Sequence, residues 1–169
     1  VSETQQQQAS SASSSADHWG VRAAEHDDVE AVAAAVQALL VELGGTPACT
    51  AAMESTVRTL LENPWAGLVL VAEADGELVG VLSASWQIAI HVPGRYALIQ
   101  DLWVDPAWRS RTVGAGLLEA LLERARERQV ERVEVGLPRE SFAGIQATEA
   151  FYRGNGFTPL GPRMRLVLV

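Results

Sequence analysis

The chain has 169 residues, 48% of them apolar, and a formal net charge of −8. That length suits one globular domain with a sizeable core, and the negative charge opposes nonspecific nucleic-acid binding, which needs clustered cations to neutralise phosphates. No apolar run reaches the roughly 18–20 residues that cross a bilayer, no basic-then-apolar leader opens the chain, and the lone Cys49 excludes an intrachain disulfide, so a cytoplasmic protein without nucleic-acid or membrane partners is expected.

Residues 1–17 stand apart. Gln5 to Gln8 and the Ser/Ala run to Ala16 have little to bury, which predicts a low-complexity, flexible tail before a single domain over 18–169. Trp19 to Ala24 reads as a short strand. Asp27 or Asp28 caps a helix with Val29, Val32, Ala33, Val36, Leu39, Leu40 and Leu43 at helical spacing, and Gly44-Gly45 stops it. Cys49 lies in the following loop with no base beside it to activate a nucleophile. A second helix covers Ala51 to Leu61 and ends at Asn63-Pro64. Leu68 to Ala74 and Leu78 to Ile90 read as strands joined by a two-residue Asp75-Gly76 hairpin. Pro93-Gly94 predicts a turn before a strand over Arg95 to Val104. The spacing of Leu117, Leu118, Leu121, Leu122 and Ala125 predicts a helix over Val113 to Glu127. Val133, Val135 and Leu137 alternate with polar or small residues as a strand does. Gln146 to Arg153 is a short helix stopped by Gly154-Asn155-Gly156, and Leu160 to Val169 predicts a final strand. The order β-α-α-β-β-β-α-β-α-β implies a mixed α/β (α+β) fold, a largely antiparallel central sheet flanked by helices, with one parallel crossover through the Val113 helix.

That crossover carries candidate chemistry. The strand end Leu102-Trp103-Val104 leads through Asp105-Pro106-Ala107-Trp108 into Arg109-Ser110-Arg111-Thr112-Val113-Gly114-Ala115-Gly116. A loop of small residues feeding a helix start is an anion site, because unpaired N–H groups point outward and the helix dipole favours negative charge. Arg109 and Arg111 can add charge-assisted contacts. An ordinary strand–loop–helix turn has the same look. The P-loop pattern is absent, and the dinucleotide fingerprint lacks its third glycine and closing acid. No His/Cys/Asp cluster suggests a metal.

The whole segment resembles the GNAT family of N-acetyltransferases, whose signature Gln/Arg-x-x-Gly-x-Gly/Ala follows a strand ending in a Leu-x-Val-like tripeptide. Two frames compete: Arg111-Thr-Val-Gly114-Ala-Gly116 matches letter for letter, whereas counting back from Leu117-Leu118 gives Arg109-Ser-Arg-Thr112-Val-Gly114, with Thr112 where a glycine is usual. The resemblance implies that backbone amides across 111–116 hold the diphosphate of acetyl-CoA, and that Leu102, Trp103 and Val104 pair by backbone with its pantetheine arm. A second landmark of the family, a helix ending in Tyr-x-x-x-Gly-Phe, reads Tyr152-Arg153-Gly154-Asn155-Gly156-Phe157 here. Ile145 and Thr148 stand at the family's Asn and Ala positions, so the Asn hydrogen bond to the CoA arm is lost and Thr148 is its candidate replacement.

Membership implies a GNAT-like fold and direct transfer of an acetyl group from acetyl-CoA, a co-substrate, to a primary amine, with no metal and no covalent enzyme intermediate. Tyr152 takes the position of the general acid towards the CoA sulfur, and the Val104 N–H that of the oxyanion donor. Gln100-Asp101-Leu102-Trp103-Val104 is similar to the Glu-Asp-Leu-Tyr-Val run of polyamine-type members. Asp101 is thus a candidate base or anchor for a small, cationic acceptor, and equally a structural carboxylate. Glu54, Glu134 and Glu140 read as surface residues, and His91 as a solvated turn histidine. Trp86 and Trp103 are candidates to line the acceptor cleft, with Trp65 and Met53 near it. A homodimer is expected by resemblance. The alternatives are a protein N-terminal or lysine acetyltransferase and a non-catalytic acyl-CoA-binding or regulatory module.

Overall fold

The structure is a computed structural model that describes residues 18–161 and Leu166. Five strands form one sheet in chain order: β1 (Trp19–Ala23), β2 (Gly67–Ala74), β3 (Glu77–Ala89), β4 (Val92–Val104) and β5 (Arg132–Val135). The first four are antiparallel neighbours, and β5 runs parallel to β4. Helices α1 (Val29–Glu42) and α2 (Thr50–Glu62) follow β1, α3 (Val113–Glu127) makes the β4–β5 crossover, and α4 (Ile145–Gly154) follows β5. The mixed α/β arrangement is the expected one, in the expected order as far as α4. The predicted tail over 1–17 lies outside the described residues, as does the predicted last strand over 160–169 apart from residues 160, 161 and 166.

Local chemistry sets the boundaries. Asp75 (φ 51°) and Gly76 (φ 82°) both take positive φ, as a tight two-residue hairpin requires. Gly44 (φ 73°) and Gly156 (φ 88°) close α1 and α4 with the paired backbone bonds of a Schellman cap. Pro93-Gly94 departs from the predicted turn: the chain reverses at Ile90-His91, and β4 already starts at Val92. Gly94 (φ 115°) sits instead where the β3–β4 register shifts, so the pair forms an irregularity within the strand.

The sheet buries both faces. On one side Leu70, Leu82 and Ile99 pack with Leu117, Leu118 and Leu121 of α3 and with Tyr152. On the other, Val69, Val71 and Val81 pack with Val29, Val32 and Ala35 of α1 and Val57 of α2. Strands covered on both sides read as continuous apolar runs, which is how β2 and the first part of β3 look in the sequence. Among the described residues no helix is long and apolar enough to cross a membrane.

Candidate active site at the open edge of β4

β4 and β5 pair only from Tyr96 opposite Arg132 to Ile99 opposite Val135. Beyond that point β5 ends while β4 continues for Gln100–Val104, so among the described residues its edge on the β5 side is open. Opposite β3, Ser83 faces Asp101 but Ala84 faces Ile99, which makes Gln100 the extra residue of a bulge. Gly80 faces Val104, while the Asp105 N–H donates to the Val79 carbonyl at 2.9 Å. Gly80 and Val104 are therefore a non-hydrogen-bonded pair, and the N–H and C=O of Val104 turn away from β3. Leu102, two residues earlier, does the same by alternation. Trp103 turns its backbone towards β3, so the open edge predicted for the trio consists of Leu102 and Val104.

This edge runs into the start of α3. Asp105 accepts a hydrogen bond from the Ala107 N–H at 2.8 Å and shapes the turn that follows. Ser110 (φ 61°) and Thr112 (φ 63°) are left-handed, and Thr112 is the residue before the helix. The Thr112 hydroxyl donates backwards to the Arg111 carbonyl at 2.6 Å, so the Thr112 side chain does not cap α3. The N–H groups of Val113, Gly114 and Ala115 have no acceptor within the helix. A helix start with outward N–H groups and a positive dipole end fits an anion such as a diphosphate. The Gly116 N–H is different, since it bonds the Thr112 carbonyl at 2.9 Å.

The left-handed Thr112 also separates the two signature frames. In the Arg109-x-x-Thr112-x-Gly114 frame, Thr112 occupies the position where glycine is usual, and the backbone there has the conformation glycine favours. Gly116 has another reason to be glycine: a β-carbon there would collide with the Trp19 indole. At Gly114 a β-carbon would lie 3.5 Å from the Phe151 ring and 3.6 Å from the Val104 side chain, an ordinary contact.

The predicted arginines are placed differently from each other. Arg109 Nη2 donates to both carboxylate oxygens of Glu42 at 2.7 Å, and its Nε to the Val104 carbonyl at 3.0 Å. It thus turns to α1 and β4 in this structure, not to the helix start. Arg111 stacks over the Trp108 ring at 5.2 Å.

Two protonatable groups flank the open edge from opposite faces of the sheet. Tyr152 is 7% exposed in the α3-side core, edge-on to Phe151 and Phe157 at centroid separations of 5.1 and 5.3 Å. Burial pushes its hydroxyl up to about 12, so it keeps its proton. Its position follows from the helix end. Phe157 N–H bonds the Tyr152 carbonyl and Gly156 N–H bonds that of Arg153, both at 3.0 Å, and the ring contact of residues 152 and 157 completes the cap. The Tyr-x-x-x-Gly-Phe landmark is thus a helix stop that locks a tyrosine.

Asp101 lies on the α1/α2 face, two residues before Trp103. Burial raises its carboxyl above the usual range, and a hydrogen bond from the Ser83 hydroxyl works against that rise. Ser83 is itself buried. Gln100 and Gln87 both donate to the Ser85 hydroxyl at 2.8 Å. Small polar residues inside the apolar run of β3 were the available signal for this network, because buried hydroxyls need partners.

Other predicted residues are placed as follows. Thr148 donates to the Gly144 carbonyl at 3.0 Å, so its proton is engaged within its own helix. Trp86 does not face Asp101: it packs on the α3 side with Ala97, Ala125 and Val130, under Arg128 at 4.9 Å. Trp103 does lie on the Asp101 face, its indole N–H donating to Glu42 at 3.2 Å. Glu134 is not a surface residue. It is 8% exposed, and Arg132 reaches it at 3.7 Å. Glu140, His91, Trp65 and Cys49 are exposed, and Met53 is half-buried. Glu54 pairs with Arg58 at 3.0 Å. Among the described residues no group of His, Cys, Asp and Glu is placed to hold a metal ion.

Residues 36–157, most of the chain, match the family model described as Acetyltransferase (GNAT) family. No curated protein sequence matches the chain. Solved structures share its fold. A possible acetyltransferase from Clostridium difficile 630 is 17% identical, with a TM-score of 0.76 over 90% of this chain and 99% of that one. A predicted acetyltransferase with acetyl-CoA from Clostridium acetobutylicum is 16% identical, with a TM-score of 0.72 over 89% and 96%. An aminoglycoside acetyltransferase from an uncultured soil metagenomic sample is 22% identical, with a TM-score of 0.70 over 90% and 100%.

Proposed function

We propose a specific reaction for this chain, which belongs to the acetyltransferase (GNAT) family and is an acyltransferase: direct transfer of the acetyl group of acetyl-CoA to a small, cationic primary amine. The observation that carries the reading is the open edge at Leu102 and Val104, followed through the 105–112 loop by the start of α3, which the Thr112 side chain does not cap. The Leu102 N–H and C=O and the Val104 N–H offer backbone partners to an amide-bearing arm, the Val104 C=O being held by Arg109, and the helix start offers N–H groups to a diphosphate. The structure of the Clostridium acetobutylicum protein with acetyl-CoA supports the choice of donor.

The chemistry follows from the flanking groups. A lysine-like amine has a pKa near 10.4, so only about one molecule in a thousand is neutral at pH 7. Asp101 first holds the ammonium by charge and then takes its proton, directly or through water. The amine nitrogen attacks the thioester carbonyl and forms the C–N bond, while the Val104 N–H stabilises the oxyanion. The nitrogen sheds its second proton to solvent, the C–S bond breaks and the electron pair leaves on sulfur. Tyr152 donates its O–H towards that sulfur. A hydroxyl near 12 is a weaker acid than an ordinary thiol near 8.5, so Tyr152 stabilises the leaving thiolate by a shared hydrogen, and solvent supplies the final proton.

Thiol release measured over a panel of amines tests the reading. Amine-dependent release is expected, and Tyr152→Phe should lower kcat roughly a hundredfold with little change in the KM of acetyl-CoA. Saturable acetyl-CoA binding without release from any amine, and no effect of Tyr152→Phe, would replace it by a non-catalytic acyl-CoA-binding module.

A further inference from the structure

Glu42 is the last residue of α1, and sequence spacing gives no hint of its partners. Its carboxylate takes both 2.7 Å bonds from Arg109 Nη2 and a 3.2 Å bond from the Trp103 indole N–H. The same Arg109 reaches back with Nε to the Val104 carbonyl at 3.0 Å. One carboxylate thus joins the end of α1, the edge of β4 and the loop before α3. The Gly44-Gly45 cap fixes the end of α1, with the Gly45 N–H on the Leu40 carbonyl at 2.8 Å, so Glu42 is presented from a rigid support.

We propose that Glu42 is a positioning residue for acetyl transfer: through Arg109 and Trp103 it fixes the Val104 peptide at the open edge of β4. The inference rests on the reading of that edge as the acyl-CoA site. An arginine is needed because the guanidinium bonds the carboxylate with one nitrogen and the carbonyl with another, which a lysine cannot do in the same geometry. The pair is partly exposed, 47% for the arginine side chain and 34% for the glutamate. Such pairs add little to global stability, so the consequence is local: the direction of the last β4 peptide. The arrangement also gives Arg109 a role other than phosphate binding, since its guanidinium faces a carboxylate.

The test is a double-mutant cycle of Glu42→Gln and Arg109→Lys in the full chain, read by kcat, acetyl-CoA affinity, melting temperature and amide hydrogen exchange at Asp105. Asp105 follows Val104 and donates to β3, so its exchange reports whether the strand end is held. Each single variant should lower kcat about tenfold with acetyl-CoA affinity within about twofold, and the double variant should be no worse than either single. Melting temperatures should stay near the parent's, and Asp105 exchange should quicken in both singles. Additive losses in the double variant would overturn the proposal. So would tighter acetyl-CoA binding in Glu42→Gln beside weaker binding in Arg109→Lys, which would make Arg109 a phosphate ligand that Glu42 restrains. If the parent transfers acetyl to no amine, the proposed reaction fails by itself. Exchange at Asp105 then decides the clamp: unchanged protection in both variants removes it.

Discussion

Asp101 and Thr112 each hold a state that their residue type ordinarily avoids. The Asp101 carboxyl is raised by burial and partly restrained by the Ser83 hydroxyl. A raised native value means that the stabilising contribution is whole below the unfolded value of 3.8 and is lost as pH rises through the native value. At neutral pH the ionised side chain is therefore a net burden on folding. Asp101→Asn should melt at the same temperature as the parent or higher at pH 7, while transfer to a cationic amine collapses. In the parent, the acid limb of kcat/KM should lie above 3.8, and it should move further up in Ser83→Ala, which loses the restraining bond. An acid limb unmoved by Ser83→Ala would remove Asp101 from the reaction. Thr112 holds a left-handed backbone that costs a branched residue roughly 1–2 kcal/mol. Thr112→Gly relieves this and adds freedom to the unfolded chain, leaving a gain of roughly 0.5–1 kcal/mol in chemical denaturation.

At the scale of elements, two contacts besides the core leucines position α4 and α3. The first is the α4 cap, where residues 152 and 157 meet ring to ring and backbone to backbone. The second is between α3 and β1. Gly116 lets the Trp19 indole lie against the helix, and a methyl group there has no room. Gly116→Ala should cost about 1–3 kcal/mol by overpacking. In a Trp19→Leu background that cost should shrink, because the obstructing ring is gone. Equal cost in both backgrounds, by urea denaturation, would show that something other than Trp19 sets the requirement.

For the whole molecule, among the described residues, the stretch of β4 beyond the end of β5 has Tyr152 on one face of the sheet and Asp101 on the other. The net charge of −8 favours cationic partners through long-range attraction. If the acceptor is cationic, its KM should rise as salt increases, because screening at about 0.1 M ionic strength shortens the reach of charge to about 10 Å. The kcat should change far less. A salt-independent KM would point to an acceptor without net positive charge.

Much of this protein is legible in its sequence. The order of elements follows from periodicity and from Gly, Pro and Asn punctuation, since the repeat of a helix or strand and the φ preferences of glycine act locally. The loop before α3 and the Tyr-x-x-x-Gly-Phe stop were legible for the same reason: each is a short segment with its own backbone geometry. The partners of those segments were not. Ser83 meets Asp101 across a bulge, Trp19 lies on Gly116, and Glu42 reaches Arg109 over a separation of 67 residues. Pro93-Gly94 looked like a turn because both residues favour one, but pairing with β3 carried the strand through them. Trp86, the Arg109 contact and the burial of Glu134 were likewise decided by which face of the sheet each side chain occupies. Register sets that face, and a single-residue bulge reverses it. Such pairings depend on the closing of the sheet and the docking of helices upon it, so tertiary structure alone decides them.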